Sequence, residues 1–470
     1  MKNDMGIVAV DSSSEVGALL RLSWPIILSL MVQGLYNLVD SMYLARLGEK
    51  VMSAMSLCFV VQNMSTFLFT GMATGMNARL SKALGEADLS AAKRAVFNGI
   101  VVQAAITALF IVFGCFFTRS YFTLSTQEEA VIENGVAYLQ PCMILGITAA
   151  AQIFFERALQ GCGLSKYSLY CQMVGFGLNL LLDPILIFGW GSIPAMGVRG
   201  AAYATILGQG SAAIMALYFN IKKNPVVFSQ LLHENRYTKR EVGRIFYIGI
   251  AASAVGIVTS IGNYCLNRIL LGFSTTANAA FGIHCKIESL MLIPRQGLNV
   301  GLITLFSYYR GKLQIHRIKK TFRCGLVCIG AWSILCTVFL LGFPKLLYAP
   351  YALSDEMLEI GIPAMRIIGL TQIPSGCMTV LCAFFQATEH SIYTIAYALI
   401  RQLIVRIPTA FLLAKLGQIA LLWWCWPISE VLSDLANVVF FIFAWISLMR
   451  ELNLPVMTCS TKELLHEAEL

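Results

Sequence analysis

Residues 22–44 read LSWPIILSLMVQGLYNLVDSMYL, an apolar run broken by four polar side chains: Gln33, Tyr36, Asn37 and Asp40. Their spacing is i, i+3, i+4, i+7, so a helix carries all four on one face. The run is long enough to cross a bilayer, which takes about 20 residues. A carboxylate near mid-bilayer costs at least ~2.5 kcal/mol on insertion scales and persists where it faces a polar interior. A single helix–helix hydrogen bond would account for Asp40 but not for three polar neighbours on its stripe. The stripe therefore predicts a helix that lines a translocation pathway.

The remaining chain extends this pattern. Of 470 residues, 57% are hydrophobic and 13% charged, against about 25% charged in soluble proteins. Mean hydropathy is +0.72, which predicts one polytopic bundle rather than several soluble domains. Met1 to Arg21 is mildly polar and leads directly into the first run, with no cleavable signal before it. The net charge of +9 resides in loops between apolar runs and is no nucleic-acid signature. The fourteen cysteines fall mostly inside the runs, as do Cys58, Cys142, Cys171, Cys265 and Cys377. Cys324 and Cys328 share a helix face, but no His or second pair completes a metal set, so all read as reduced core residues. No CxxC, HExxH, GxSxG or phosphate-loop GKS pattern occurs. Nothing argues for an enzyme, an ATP-driven pump or an enzymatic cofactor.

Twelve candidate spans lie near 22–45, 53–78, 94–117, 132–156, 165–190, 198–220, 243–270, 276–306, 320–342, 357–385, 391–414 and 421–449. Of the 34 Lys and Arg residues, twenty-two fall in the termini and even-numbered connections, from Lys2, Arg79 and Lys93 through Arg236 and Lys319 to Arg450 and Lys462. Seven fall in the odd connections: Arg46, Lys50, Arg119, Arg199, Arg268, Lys345 and Lys415. The other five, Lys286, Arg295, Arg366, Arg401 and Arg406, lie inside spans. The positive-inside rule puts both termini in the cytoplasm.

A repeat runs at an offset of 226 residues: Gly71, Gly75, Ser81, Gly85, Lys93, Gly99 and Val101 match Gly297, Gly301, Ser307, Gly311, Lys319, Gly325 and Val327. Seven identities in 31 positions exceed the roughly two expected by chance. Gln160/Gln386, Ser165/Ser391, Tyr167/Tyr393 and Gly191/Gly417 continue it. A duplicated six-helix unit follows. Six is even, so the halves share an orientation and relate by an axis along the membrane normal, a known secondary-transporter plan. The expected division is a six-helix lobe with a cytoplasmic N-terminus over 1–220, a cytoplasmic loop over 221–240, a second six-helix lobe over 241–450 and a cytoplasmic tail over 451–470.

The stretch Gly71-Met-Ala-Thr-Gly75, with Arg79, Ser81, Lys82 and the turn Gly85-Glu86-Ala87-Asp88, follows Pro25 and the Gln33–Asp40 stripe. Together with Ala91 and Ala92, Asn179, Asp183-Pro184, Arg401-Gln402 and Pro408, these residues resemble the multidrug and toxic compound extrusion (MATE) family over residues 15–450 or so. The resemblance is greatest to its prokaryotic DinF-like branch. It implies an all-α polytopic membrane protein, with twelve transmembrane helices in two parallel six-helix repeats forming a V-shaped two-lobe transporter. It also implies export of small organic compounds, often cationic amphiphiles, by antiport with H⁺ or Na⁺. The expected setting is the cell membrane, the expected state a functional monomer, and the expected partners are substrates and the lipid bilayer, with no nucleic acid.

The residues support a site in the first lobe independently. Asn179 and Asp183 are i, i+4 and share a helix face. Asp40 and Asp183 are the only acids deep within the first six spans, and Glu156 reads as a surface ion pair with Arg157 at a cytoplasmic end. Burial and a neighbouring carboxylate both disfavour a charged carboxyl, so such a pair suits a cation or a proton. The resemblance carries the ion site onto Tyr36, Asp40, Asn179 and Asp183, with Tyr138 as a neighbour. Some relatives supply a hydroxyl early in the sixth span where this chain has Ala201, with Thr205 one turn later. That leaves H⁺ and Na⁺ equally open.

In the second lobe Glu288 reads as neutralised by Lys286 and Arg295, and His284 as packed core. Arg401 and Arg406, i and i+5, could pair with Glu288 or with backbone carbonyls, or contact an anionic part of a substrate. Trp423, Trp424 and Trp426 read as an interfacial belt. Gln33, Asn37, Tyr138, Met173, Phe176 and Arg401 are candidate cavity residues, and Met31, Met64, Met72 and Met76 lie on spans that the resemblance places around the cavity. Soft side chains suit varied amphiphiles. An exporter or flippase of a lipid-linked or anionic metabolite is the alternative on the same architecture. The missing catalytic motifs oppose an intramembrane enzyme.

Overall fold

The computed structural model describes residues 14–191, 193–228, 237–351 and 355–467; Lys2 and residues 229–236 of the 221–240 loop, Arg236 among them, lie outside them. The helices run in the order α1 Glu15–Ala45, α2 Glu49–Gly85, α3 Leu89–Ser125, α4 Glu129–Ile144, α5 Ile147–Gly161, α6 Ser165–Phe188 and α7 Val198–Lys223. They continue as α8 Lys239–Leu271, α9 Thr275–Gly311, α10 Ile315–Gly342, α11 Asp355–Gly369, α12 Gln372–Ala387, α13 Ile392–Ala414 and α14 Ile419–Glu451.

Among the described residues, nine of these helices are long and apolar enough to cross a membrane. The pairs α4–α5 and α11–α12 bend by 49° and 46° and add one span each. The twelfth segment is α9, whose 37 residues reach about 55 Å at 1.5 Å per residue and include Lys286, Glu288 and Arg295. Among the described residues the architecture is all-α as expected, and up to eleven of the twelve expected spans have the length and apolarity of a membrane crossing.

The duplication is visible in the backbone. Shifting α2, Glu49–Gly85, by 226 gives the bounds of α9, Thr275–Gly311. Residues with positive φ repeat at the same offset: Ala87 (57°) with Leu313 (58°), Gly163 (76°) with Glu389 (63°) and Gly191 (61°) with Gly417 (75°). The Gly85–Asp88 turn shows why this sequence suits the position. The chain turns through a left-handed Ala87, and Asp88 caps α3 by accepting from the Ala91 amide at 2.8 Å, which satisfies one of the helix's orphan donors. Ser14 and Ser274 cap α1 and α9 in the same manner.

The described residues cluster into two compact units: residues 1–257 with 296–304, and 258–295 with 305–470. In the first, α1 packs on α6, and α6 on α7. Arg79 on α2 holds Glu241 at the start of α8 in a two-pronged ion pair of 2.7 and 3.0 Å. In the second, Trp423 and Trp426 are buried against Phe281 rather than forming a lipid-facing belt; of the three tryptophans, only Trp424 is exposed.

Candidate functional site

Asp40, on α1, is 4% exposed, and Asp183, on α6, is fully buried. The approach of α6 to α7 is set by small residues: a side chain at Gly208 would meet the Gly175 carbonyl at 2.8 Å and Asn179 Cβ at 3.0 Å. That approach brings Thr205, one turn before Gly208, into the site. The Tyr36 hydroxyl on α1 donates to Thr205 Oγ1 at 2.8 Å. Tyr138, on α4, donates to Asp40 Oδ2 at 3.4 Å and also has a side-chain hydrogen bond with Gln62 on α2. The Asn179 amide donates to Asp183 Oδ1 at 3.3 Å.

Asp40 and Asp183 interact electrostatically, and both act on Tyr36. Asp40 Oδ1 and Asp183 Oδ2 are buried without a hydrogen-bond partner. A buried carboxyl oxygen without a donor is costly unless it binds a proton or a cation. The surrounding atoms are carboxyl, amide and hydroxyl oxygens, the donor class that hard cations take, so the residues present fit Na⁺ as well as H⁺. Among the described residues no cluster of three His, Cys, Asp or Glu side chains could hold a transition metal. Separately, an open surface pocket of about 650 Å³ lies between the α1–α2 turn (Leu47–Val51), Asn134 and Ala137 of α4, and the start of α7 at Val198 and Arg199.

The stripe read from the sequence divides in three dimensions. Asp40 is buried, Tyr36 and Gln33 are half-buried, and the Asn37 side chain is exposed. Met31, Met64 and Met173 are exposed and Phe176 half-buried, whereas Met72 and Met76 are core residues of the first unit. Glu156 is not a surface ion pair: it is buried and accepts from Gln152, which also donates to Gln172.

In the second unit Arg401 pairs with Glu430, not Glu288, through contacts of 2.5 and 2.6 Å. A π-helical stretch over Ile400–Arg406 turns the i, i+5 pair Arg401 and Arg406 to one side, and Arg406 lies 3.9 Å from the same carboxylate. Glu288 sits 3.8 Å from His284, and neither Lys286 nor Arg295 pairs with it. His284 is buried, as a core residue would be.

Buried acids within one of two repeated sets of membrane-length helices fit a membrane transporter. The MatE family model matches residues 25–185 and 251–412, and the chain belongs to that family. It is 23% identical to a probable multidrug resistance protein NorM of Thermotoga maritima, over 88% of this chain and 89% of that one. It is 22% identical to the multidrug export protein MepA of Staphylococcus aureus, over 91% and 93%, and 22% identical to a FAD transporter of Shewanella oneidensis, over 93% and 96%. Among solved structures, an outward-facing multidrug resistance MATE transporter matches with a TM-score of 0.86 at 19% identity, over 96% of this chain and 99% of that one. A transporter from Pyrococcus furiosus described as having a binding pocket of reversed polarity matches with a TM-score of 0.84 at 18% identity, over 94% and 98%. Likeness at these identities establishes the fold.

Proposed function

We propose that this chain is a secondary active multidrug exporter, moving amphiphilic and often cationic organic compounds out of the cell by antiport with H⁺ or Na⁺. The observation that carries the reading is the Asp40–Asp183 pair, two buried carboxyls in one unit that each keep an oxygen without a hydrogen-bond donor. Ion-driven export needs a site whose occupancy changes the relative stability of outward- and inward-open states. Tyr36, Asn179, Tyr138 and Thr205 complete that site. The names of the NorM and MepA relatives support the substrate class. Residues 1–220 and 241–450 act as the two lobes, with both termini in the cytoplasm, in the plasma membrane, and with the monomer as the functional unit. Ethidium transport in proteoliposomes, under an imposed pH gradient and then an imposed Na⁺ gradient, tests the reading and assigns the ion. Export under neither gradient overturns it.

Export of an anionic or lipid-linked metabolite is the second reading. It is favoured by Arg295, Arg401 and Arg406, buried or half-buried in the second unit, and the FAD transporter among the relatives accords with it.

A further inference from the structure

The second unit holds a buried cation that the Asp40–Asp183 coupling site does not use, and its role rests on the second reading above, in which these arginines meet an anion. Arg295, on α9, is buried, and its Nη2 donates to Ser375 Oγ on α12 at 3.2 Å while Nη1 lies 3.5 Å from Gln372 Oε1. Both acceptors are neutral, and among the described residues no carboxylate lies within 4.0 Å of Arg295. Arg401 Nη2 donates to the same Ser375 oxygen at 3.3 Å. Two guanidinium groups thus converge on one hydroxyl and fill its two acceptor positions. The Ser375 proton is left to donate away from both cations.

The nearby charges do not offset this. Glu430 is engaged by Arg401 in a two-pronged contact and is shared with Arg406, whose Nη2 makes no hydrogen bond. Glu288 acts on all three arginines only at longer range, and Asp434 does so on Arg401. Lys286 is exposed, and His284 lies against Glu288. Three buried or half-buried guanidiniums therefore have one carboxylate in direct contact. A buried charge is costly unless it is paired. The Arg401 side chain is 21% exposed, so the cluster opens to the surface of its unit. The π-helical turn that aims Arg401 is a backbone feature found often at functional sites.

We propose that Arg295, Arg401 and Ser375, with Gln372 orienting Arg295, form an anion seat for the carboxylate, phosphate or sulfonate group of an organic anion. The planar fork of Arg295 supplies charge and geometry, and the Ser375 hydroxyl supplies a further donor. The group could belong to a transported solute or to an anionic lipid headgroup. The seat stands apart from the Asp40 coupling site, so it is tested by binding without any ion gradient.

The purified full-length chain, in nanodiscs of phosphatidylcholine alone, is titrated with dansylglycine and with dansylglycinamide, which differ only in carboxylate against amide. Dansylglycine should bind about tenfold more tightly, the size of one charge-assisted contact. Arg295→Gln should abolish that preference while leaving dansylglycinamide binding unchanged, and Ser375→Ala should reduce it with no charge altered. The Ser375→Ala result stands on its own where Arg295→Gln yields no folded protein. A lipid occupant shows instead as a rise in thermal midpoint when phosphatidylglycerol is added, lost in both variants, and this too supports the seat. Equal binding of the two dyes together with no phosphatidylglycerol effect overturns it. So does a preference that survives both substitutions.

Discussion

The Tyr138 hydroxyl donates to one oxygen of Asp40 at 3.4 Å while the other oxygen of that carboxyl, buried as deeply, has no donor. The bond is long for O–H···O, so it orients the group without satisfying it. Asp40→Asn should therefore abolish gradient-driven ethidium efflux, by tenfold or more, with folding and membrane insertion intact. Neutralising a costly buried charge does not harm stability by itself. Asp183→Asn should do the same, and the double variant should be little worse than either single one, because coupled residues are not additive. Tyr138→Phe should weaken efflux without abolishing it, since one hydrogen bond contributes about 1 kcal/mol. Normal efflux by a well-expressed Asp40→Asn protein would falsify the assignment.

Glu430 and Glu288 should behave differently. Glu430→Gln removes the carboxylate that Arg401 grips and Arg406 shares, and breaking a buried pair costs about 3–5 kcal/mol. Yield and thermal midpoint in detergent should fall sharply. Glu288 has one close contact, a 3.8 Å approach to His284, and acts on the arginines only at longer range, so Glu288→Gln should lower both far less than Glu430→Gln. A Glu430→Gln protein as stable as wild type rules out the pairing as a structural element.

Gly75 lies where α2 meets the first turns of α8, and a Cβ there would sit 2.3 Å from the Ile245 carbonyl oxygen. Backbone cannot give way as a flexible side chain can, so Gly75→Ala should cost about 1–3 kcal/mol through overpacking. Gly177, with nothing within 4 Å, is the control. Gly177→Ala should be neutral or slightly stabilising, since alanine suits a helix interior by roughly 0.5–1 kcal/mol. Thermal unfolding of the two proteins side by side decides the matter.

Topology has its own measurement. Glu86, in the α2–α3 turn, and Gln127, in the α3–α4 turn, are both exposed and lie on consecutive connections of opposite basic character. Cysteines placed at the two positions should react with an impermeant maleimide from opposite sides of the membrane, above the background of the native thiols. Glu86 should label from the cytoplasm. Labelling of both from outside excludes the twelve-span arrangement.

Much of this architecture is legible in the sequence because membrane insertion penalises exceptions. Asp40 and Asp183 stand out in apolar runs, and the 226-residue offset survives in residues with backbone duties, such as Gly85 and Gly311 at the ends of α2 and α9. The same rule reaches Glu430, an acid four residues before Asp434 inside the last apolar run; a belt reading of the adjacent tryptophans conceals it. Other features depend on packing that no local pattern encodes. Glu156 accepts from Gln152 one turn before it on α5, a local pair, but only the fold of α5 onto α6 brings Gln172 against Gln152. Asn37 shares the spacing of its stripe but faces outward, because a helix of 31 residues meets different neighbours along its length. The hydroxyl of Thr205 reaches Tyr36 only because Gly175 and Gly208 let α6 and α7 approach closely.

His390 links stability to pH outside the membrane-spanning segments. It lies in the α12–α13 turn beside Glu389, where Arg310 binds Glu389 at 3.2 Å and Glu451 at 2.9 Å. Burial, and then the Arg310 charge, lower its pKa below the ordinary histidine value, against smaller opposing effects of the Thr388 backbone, Glu451 and Glu389. Its ring stacks on Tyr393, and its Nδ1 lies 3.2 Å from Thr388 Oγ1. The folded chain therefore binds a proton at this site less readily than the unfolded chain. Stability from this residue is fully present above the unfolded pKa, about 6.5, and is lost as the pH falls below it. Wild type should lose more of its thermal midpoint between about pH 7.5 and 5.5 than His390→Gln, which cannot take up the proton. Carboxylates elsewhere titrate equally in both proteins, so the difference between the two curves isolates the histidine. Parallel curves would mean that His390 protonates alike in the folded and unfolded chains, and that the Arg310 cluster does not act on it.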